Sequence, residues 1–245
     1  TVLDMPFIPY FNRTTSELLL RIRNGSNLVA ELDHVLDIQI QNGNYGQESP
    51  TFIVRGEGGA SMSHKTMDRA AYDKAPLVIA GIRTGIISQS STLASGNNTI
   101  QVSLSFFTFI QNGTIITIAG LEGTQTMAAT LSVHQNASVF AASGAWTQAT
   151  GSFVLEVVKT IEPFGVAIDK ITFAFTVQNP EEGRYPPNVS FTATYTEACT
   201  RYGAASDVVI LRTPLEHAPG NKGALRIAGF EEVTLHQQSA STNVD

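Results

Sequence analysis

Residues Asn112–Glu122 read Asn-Gly-Thr-Ile-Ile-Thr-Ile-Ala-Gly-Leu-Glu, and a near copy, Asn-Lys-Gly-Ala-Leu-Arg-Ile-Ala-Gly-Phe-Glu, returns at Asn221–Glu231. The pentapeptide from Ile118 to Glu122 aligns with Ile227 to Glu231 at an offset of 109. Similarity at a fixed spacing is the mark of a repeated module. A second echo runs the other way. Gln178-Asn179, Gly183 and Pro187 match Gln41-Asn42, Gly46 and Pro50 at an offset of 137. Thr150-Gly151-Ser152, then Phe153-Val154-Leu155, matches Thr14-Thr15-Ser16, then Glu17-Leu18-Leu19.

The middle of the chain therefore reads as a complete module. The N-terminus carries only a module's second half, and the C-terminus only a first half. Ile118 to Thr150 spans 32 residues, and the walk from Ile227 through the chain end to Thr14 spans 32 as well. Joined tail to head, the two terminal pieces make one module of nearly the middle one's spacing. The expected division is a second half-module at 1–60, a linker at 61–74, a complete module at 75–198 and a first half-module at 199–245.

The local pattern sets the fold class. Val35, Asp37 and Gln39 alternate with Leu36, Ile38 and Ile40, and Ile171–Val177 alternates most clearly of all. Period two is strand periodicity with one buried face. Further strand-like runs at Leu18–Arg23, Leu77–Ser88, Ile100–Ile110, Ile115–Ala119, Ala128–Val133, Phe153–Val158 and Val189–Tyr195 are divided by Gly, Asn and Pro turns. No segment has a convincing helical period. The expectation is an all-β protein of antiparallel, immunoglobulin-like β-sandwich modules.

With 245 residues, 42% of them hydrophobic, the chain can bury a real core. A net charge of −6 with no Lys/Arg cluster argues against a nucleic-acid partner. No apolar run has the length of a membrane span, so membrane insertion is not expected. The single cysteine, Cys199, allows no disulfide within the chain. Asn-X-Ser/Thr sequons stand at Asn12, Asn24, Asn97, Asn112, Asn136 and Asn188, several beside turn residues where a glycan would sit at a loop tip. This set favours an extracellular protein, on a cell surface or in a shed fibre. Thr1-Val2-Leu3-Asp4 has no signal-peptide character, so a secreted form would be read as the mature chain.

Chemistry-bearing patterns are sparse. His34, His64, His134, His217 and His236 are scattered, with no pair at metal-ligand spacing. Gly56-Glu57-Gly58-Gly59 lacks the Lys-Ser/Thr of a phosphate-binding loop, and no Gly-X-Ser-X-Gly elbow is present. Trp146 and Tyr10 read as core aromatics closing equivalent modules. No catalytic residue, metal or cofactor is assigned, and no enzyme is expected; N-linked glycans are.

Ile118-Ala119-Gly120-Leu121, Trp146, Thr150-Gly151, an alternating strand and Gln178-Asn179-Pro180 before Val189-Ser190-Phe191 form one pattern. It resembles the tandem β-sandwich repeats of large secreted glycoproteins from algae and other protists, and the subunits of protist extracellular glycofibrils. The resemblance covers 75–197 well and the terminal halves partly. The N-terminal half departs in lacking the Pro after Asn42 and in carrying Tyr10 where the middle module has Trp146. A role in an extracellular fibre or coat is what the resemblance implies.

Two readings follow. In one, the chain is a structural subunit that polymerises with itself head to tail. The split sandwich of one copy is then completed by the next, with Phe7, Ile8, Tyr10, Phe11, Leu18, Leu20, Ile22, Ile227 and Phe230 at the interface. A half-sandwich leaves bare edges and an open apolar face, which strands from a neighbour remove. In the other, the halves fold together in one chain, making a monomeric adhesin or lectin-like module with a discontinuous domain. The apolar, proline-bearing stretch Met5–Phe11 leans towards the polymer.

Overall fold

The computed structural model describes residues 7–22, 35, 38–57, 62–70, 75–135, 138–162, 170–197 and 206–229. Residues 1–41 and 42–245 form two compact units.

The second unit holds two antiparallel sheets that pack face to face. The five-stranded sheet has the order β15 (Glu216–His217), β5 (Ile82–Gln89), β6 (Asn97–Phe106), β12 (Ile171–Gln178), β9 (His134–Gln135). The six-stranded sheet has the order β14 (Ser206–Pro214), β13 (Ser190–Glu197), β7 (Ile115–Ala119), β11 (Ser152–Glu156), β10 (Ser143–Thr147), β8 (Ala129–Ser132). The chain is all-β, as its alternation dictates. Along β12, Ile171, Phe173, Phe175 and Val177 are buried while Thr172, Ala174 and Thr176 face away. Asn98, Ile100, Val102 and Leu104 do the same along β6.

Aromatic contacts lock the sheets together. Phe153 of β11 stacks on Phe175 of β12 with ring centroids 4.1 Å apart, and Phe173 and Trp146 lie 6.4 Å from Phe153 and Phe175 respectively. Trp146 keeps its indole N–H satisfied by donating to the Thr126 carbonyl at 2.9 Å.

The strand 206–214, placed by sequence in the split module, lies along β13 here, from Ser190 opposite Pro214 to Glu197 opposite Ser206. The following residues cross to the other sheet, where β15 runs parallel to β5. One edge of each sheet of the 75–198 module is thus covered by residues beyond 198.

Two short hairpins reproduce parts of this body in detail. In the second unit, β3 (Ile53–Gly56) pairs with β4 (Met62–Thr66) as Ile53 with Thr66, Val54 with Lys65 and Gly56 with Met62, with a bulge between Val54 and Gly56. The β13–β14 ladder pairs Ser190 with Pro214, Phe191 with Thr213 and Ala193 with Ile210, with its bulge between Phe191 and Ala193. Every first member is shifted by 137 residues and every second member by 148.

The chain then enters the same joint twice. Gln47 and Ile79 exchange backbone hydrogen bonds of 3.1 and 3.0 Å, and so do Arg184 and Ile227. Leu77 and Leu225, 148 apart, both take the left-handed conformation, with φ of 58° and 55°. Gly46 sits against Gly81 and Gly183 against Gly229 so closely that a Cβ on Gly46 or Gly183 would lie 2.5 Å from the facing Cα.

The structural repeat of Ile227-Ala228-Gly229 is therefore Ile79-Ala80-Gly81, within Lys74-Ala75-Pro76-Leu77-Val78-Ile79-Ala80-Gly81 against Lys222-Gly223-Ala224-Leu225-Arg226-Ile227-Ala228-Gly229. The match to Ile118-Ala119-Gly120 has another cause. Ile118 lies in the ladder of β7, where it pairs with Phe153 and Phe191. A β-branched residue before Ala-Gly suits both a strand end and the joint, so three copies of Ile-Ala-Gly serve two different purposes.

Backbone against backbone leaves no room for a methyl group. Gly183→Ala is expected to open the Arg184–Ile227 pairing at a cost of roughly 1–3 kcal/mol, the range for forced overpacking. Hydrogen exchange at the Arg184 and Ile227 amides reads this directly, and unchanged protection would count against the joint.

Candidate association surface

The first unit offers β1 (Phe7–Asn12) paired with β2 (Glu17–Ile22). This hairpin has the geometry of β10–β11. Tyr10, Phe11 and Asn12 face Leu19, Leu18 and Glu17, as Ala145, Trp146 and Thr147 face Val154, Phe153 and Ser152. Both turns have four residues ending in the left-handed region, at Ser16 (φ 55°) and Gly151 (φ 54°). Thr15 Oγ1 donates to Glu17 Oε2 at 3.0 Å, where Thr150 and Ser152 share a hydrogen bond of 2.7 Å.

The offset is 135 throughout. Phe11, and not Tyr10, is the counterpart of Trp146; one residue of slip would turn every side chain to the opposite face.

Equal backbones have unequal surroundings. Trp146 is 2% exposed and Phe11 54%. Phe153, Leu155 and Val157 are fully buried, whereas Leu18 is half-buried and Leu20 and Ile22 are 38% and 40% exposed. Phe7 and Ile8 are placed in β1 by their backbones. Ile38 and Ile40, which the 137 offset matches to the buried Phe175 and Val177, are exposed as well. A core face with this pattern is open to solvent.

A buried polar cluster makes the same point. Asn98 Nδ2 donates to Gln89 Oε1 at 2.9 Å and to Asn179 Oδ1 at 2.7 Å, while its own Oδ1 accepts from the Ser90 and Ser91 amides at 3.1 Å each. Asn179 Nδ2 donates to the Ser91 and Leu93 carbonyls. Gln89 Nε2 donates to the carbonyls of Asn221 and Arg226, tying the module to its C-terminal joint. Satisfied in this way, the cluster rigidifies that end of the sandwich. Asn42, the counterpart of Asn179, is exposed.

No family model, curated protein or solved structure matches this chain. The repeat inside the chain is thus the comparison available, and it shows what a covered version of the hairpin looks like.

Of the remaining expected residues, Ile227 is buried at the joint of its own chain, while Phe230, Asn24 and Asn136 lie outside the described residues. Asn97 opens β6 and Asn188 precedes β13; both are exposed at the end of the sandwich that carries the joint. Asn112 is exposed in the turn at the other end of β7. Asn12 is half-buried, its Oδ1 accepting from the amides of Thr14 and Thr15. Among the described residues no group of three or more His, Cys, Asp and Glu gathers as metal ligands would, and no helix is long and apolar enough to cross a membrane.

Sequence reading missed the glycine pairs and the Gln89–Asn98–Asn179 cluster. A glycine carries no pattern by itself, and the three polar residues are brought together from strands up to 90 positions apart.

Proposed function

We propose that this chain is a structural subunit of an extracellular, N-glycosylated filament or coat, and that copies associate head to tail by covering the open half-module at the N-terminus. One observation carries the reading: β1–β2 repeats the geometry of β10–β11, while the core face that β10–β11 buries stands open. Apolar side chains set at core spacing gain most when strands from another chain cover them. A contact between different surfaces of identical chains propagates unless it closes a ring.

The repeat also defines what the terminal pieces supply. By the 135, 137 and 148 offsets they hold counterparts of β5 and of β10 to β14, and none of β6 to β9. The exposed sequons at Asn97, Asn112 and Asn188 would place glycans at both ends of the middle module.

Negative-stain microscopy and sedimentation of the intact chain test the proposal. Filaments of indefinite length, with glycan mass on the sequon asparagines, are the expected result. A sharp 26.3 kDa monomer plus glycan would overturn it and would favour the monomeric binding module instead.

A further inference from the structure

Resting on the head-to-tail reading, we infer that the β3–β4 hairpin is a docking surface in its own right, and that Val54, Met62 and Met67 are buried by a neighbouring copy of the chain. The ladder of β3 with β4 repeats that of β13 with β14, and the likeness runs on past the strand ends. The Met67 amide donates to the Phe52 carbonyl at 2.9 Å, as the Leu215 amide donates to the Val189 carbonyl at 2.9 Å. Val54, Met62 and Met67 are therefore the counterparts of Phe191, Ile210 and Leu215.

The two hairpins share a backbone pattern and differ in cover. Phe191, Ile210 and Leu215 are at most 5% exposed, whereas Val54, Met62 and Met67 are 51%, 62% and 53% exposed. In the middle module the facing sheet supplies the cover. Phe106 of β6 brings its ring to 5.9 Å from that of Phe191. Leu215 approaches Gly85 of β5 so closely that a Cβ there would lie 2.6 Å from its Cδ2. At the bare hairpin the residue types still suit a core. Met67 answers Leu215 with a similar volume. Where Ala193 faces Ile210, Gly56 faces the longer Met62, whose Cε would lie 2.4 Å from a Cβ on the glycine. Single exposed apolar residues are ordinary, but a set placed as a core face marks a contact surface. Methionine, unbranched and adaptable, suits such a surface.

The occupant is a second copy. Among the described residues, the covered form of this hairpin is covered by β-strands of the same chain, so sheet faces of this sequence fit it. Lys65 and Arg69 outnumber Asp68 along residues 62–70, while the whole chain carries −6, so a like chain brings the opposite charge.

Methionine oxidation tests the surface, with Met127 of the middle module, 77% exposed, as the internal control. Filaments of the intact chain, and the same chain diluted until it sediments as monomer, are treated with dilute peroxide and read by mass spectrometry. Met62 and Met67 should oxidise roughly tenfold more slowly in the filament, and Met127 at the same rate in both. Val54→Asp with Met62→Asp should raise the dissociation constant about a hundredfold, because it sets two carboxylates where apolar groups would be buried. Filaments in which Met62 and Met67 keep their monomer rates, or in which all three methionines slow alike, would overturn this inference and leave the head-to-tail reading standing. Slow oxidation of Met62 and Met67 already in the monomer would overturn it as well, since the chain would then cover its own hairpin. Absence of filaments would end both.

Discussion

Phe153→Ala is expected to destabilise the 42–245 unit by about 3–5 kcal/mol, the usual range for removing a core phenylalanine. Phe153 has no exposure, stacks on Phe175 at 4.1 Å and 17°, and lies 6.4 Å from Phe173. Its loss opens a cavity at the one place where β11 and β12 meet through their rings. Strands paired on both sides, Trp146 through β10 and Ile118 through β7, hold the backbone in place and limit collapse into the gap. At roughly 2–4 °C per kcal/mol for a domain of this size, thermal unfolding should fall by about 6–20 °C. A loss below about 1 kcal/mol in denaturant titration would mean that Phe153 is not the centre of the core.

Leu18→Asp with Leu20→Asp is expected to abolish self-association while leaving that unfolding transition in place. The two leucines are the counterparts of Phe153 and Leu155, on a hairpin whose two strands pair with each other from Phe7 opposite Ile22 to Asn12 opposite Glu17. Burying a leucine contributes roughly 1.5–3 kcal/mol, so losing both costs about 3–6 kcal/mol, and a buried carboxylate adds to that. At 1.4 kcal/mol per factor of ten, the dissociation constant should rise by about a hundredfold or more. Sedimentation velocity gives the association, and circular dichroism the fold. Undiminished polymers from the double variant would show that this face is not the contact. Arg21→Asp, on the face away from the counterparts of the core, serves as the matched control.

Alternation along Ile171–Val177 and along Ile100–Leu104 fixes strands with one buried face wherever such segments stand. Apolar area is recovered only by stacking those faces, so the all-β sandwich was legible in the sequence. The existence of a repeat was legible too, and so was the matching of Gly46 with Gly183.

Alignment by likeness could not assign the repeat's register. Ile-Ala-Gly occurs three times, and strand residues tolerate substitution so freely that Phe11 answers Trp146 and Leu18 answers Phe153. Tertiary structure decided these questions because register is a property of pairs. Hydrogen-bonded partners, the bulge after Val54 and after Phe191, and the contact of Gly183 with Gly229 each depend on two segments distant in sequence. The same holds for the open surface. The residues of the N-terminal half are as apolar as a core face must be, and only the packed state shows that Trp146 is covered and Phe11 is not.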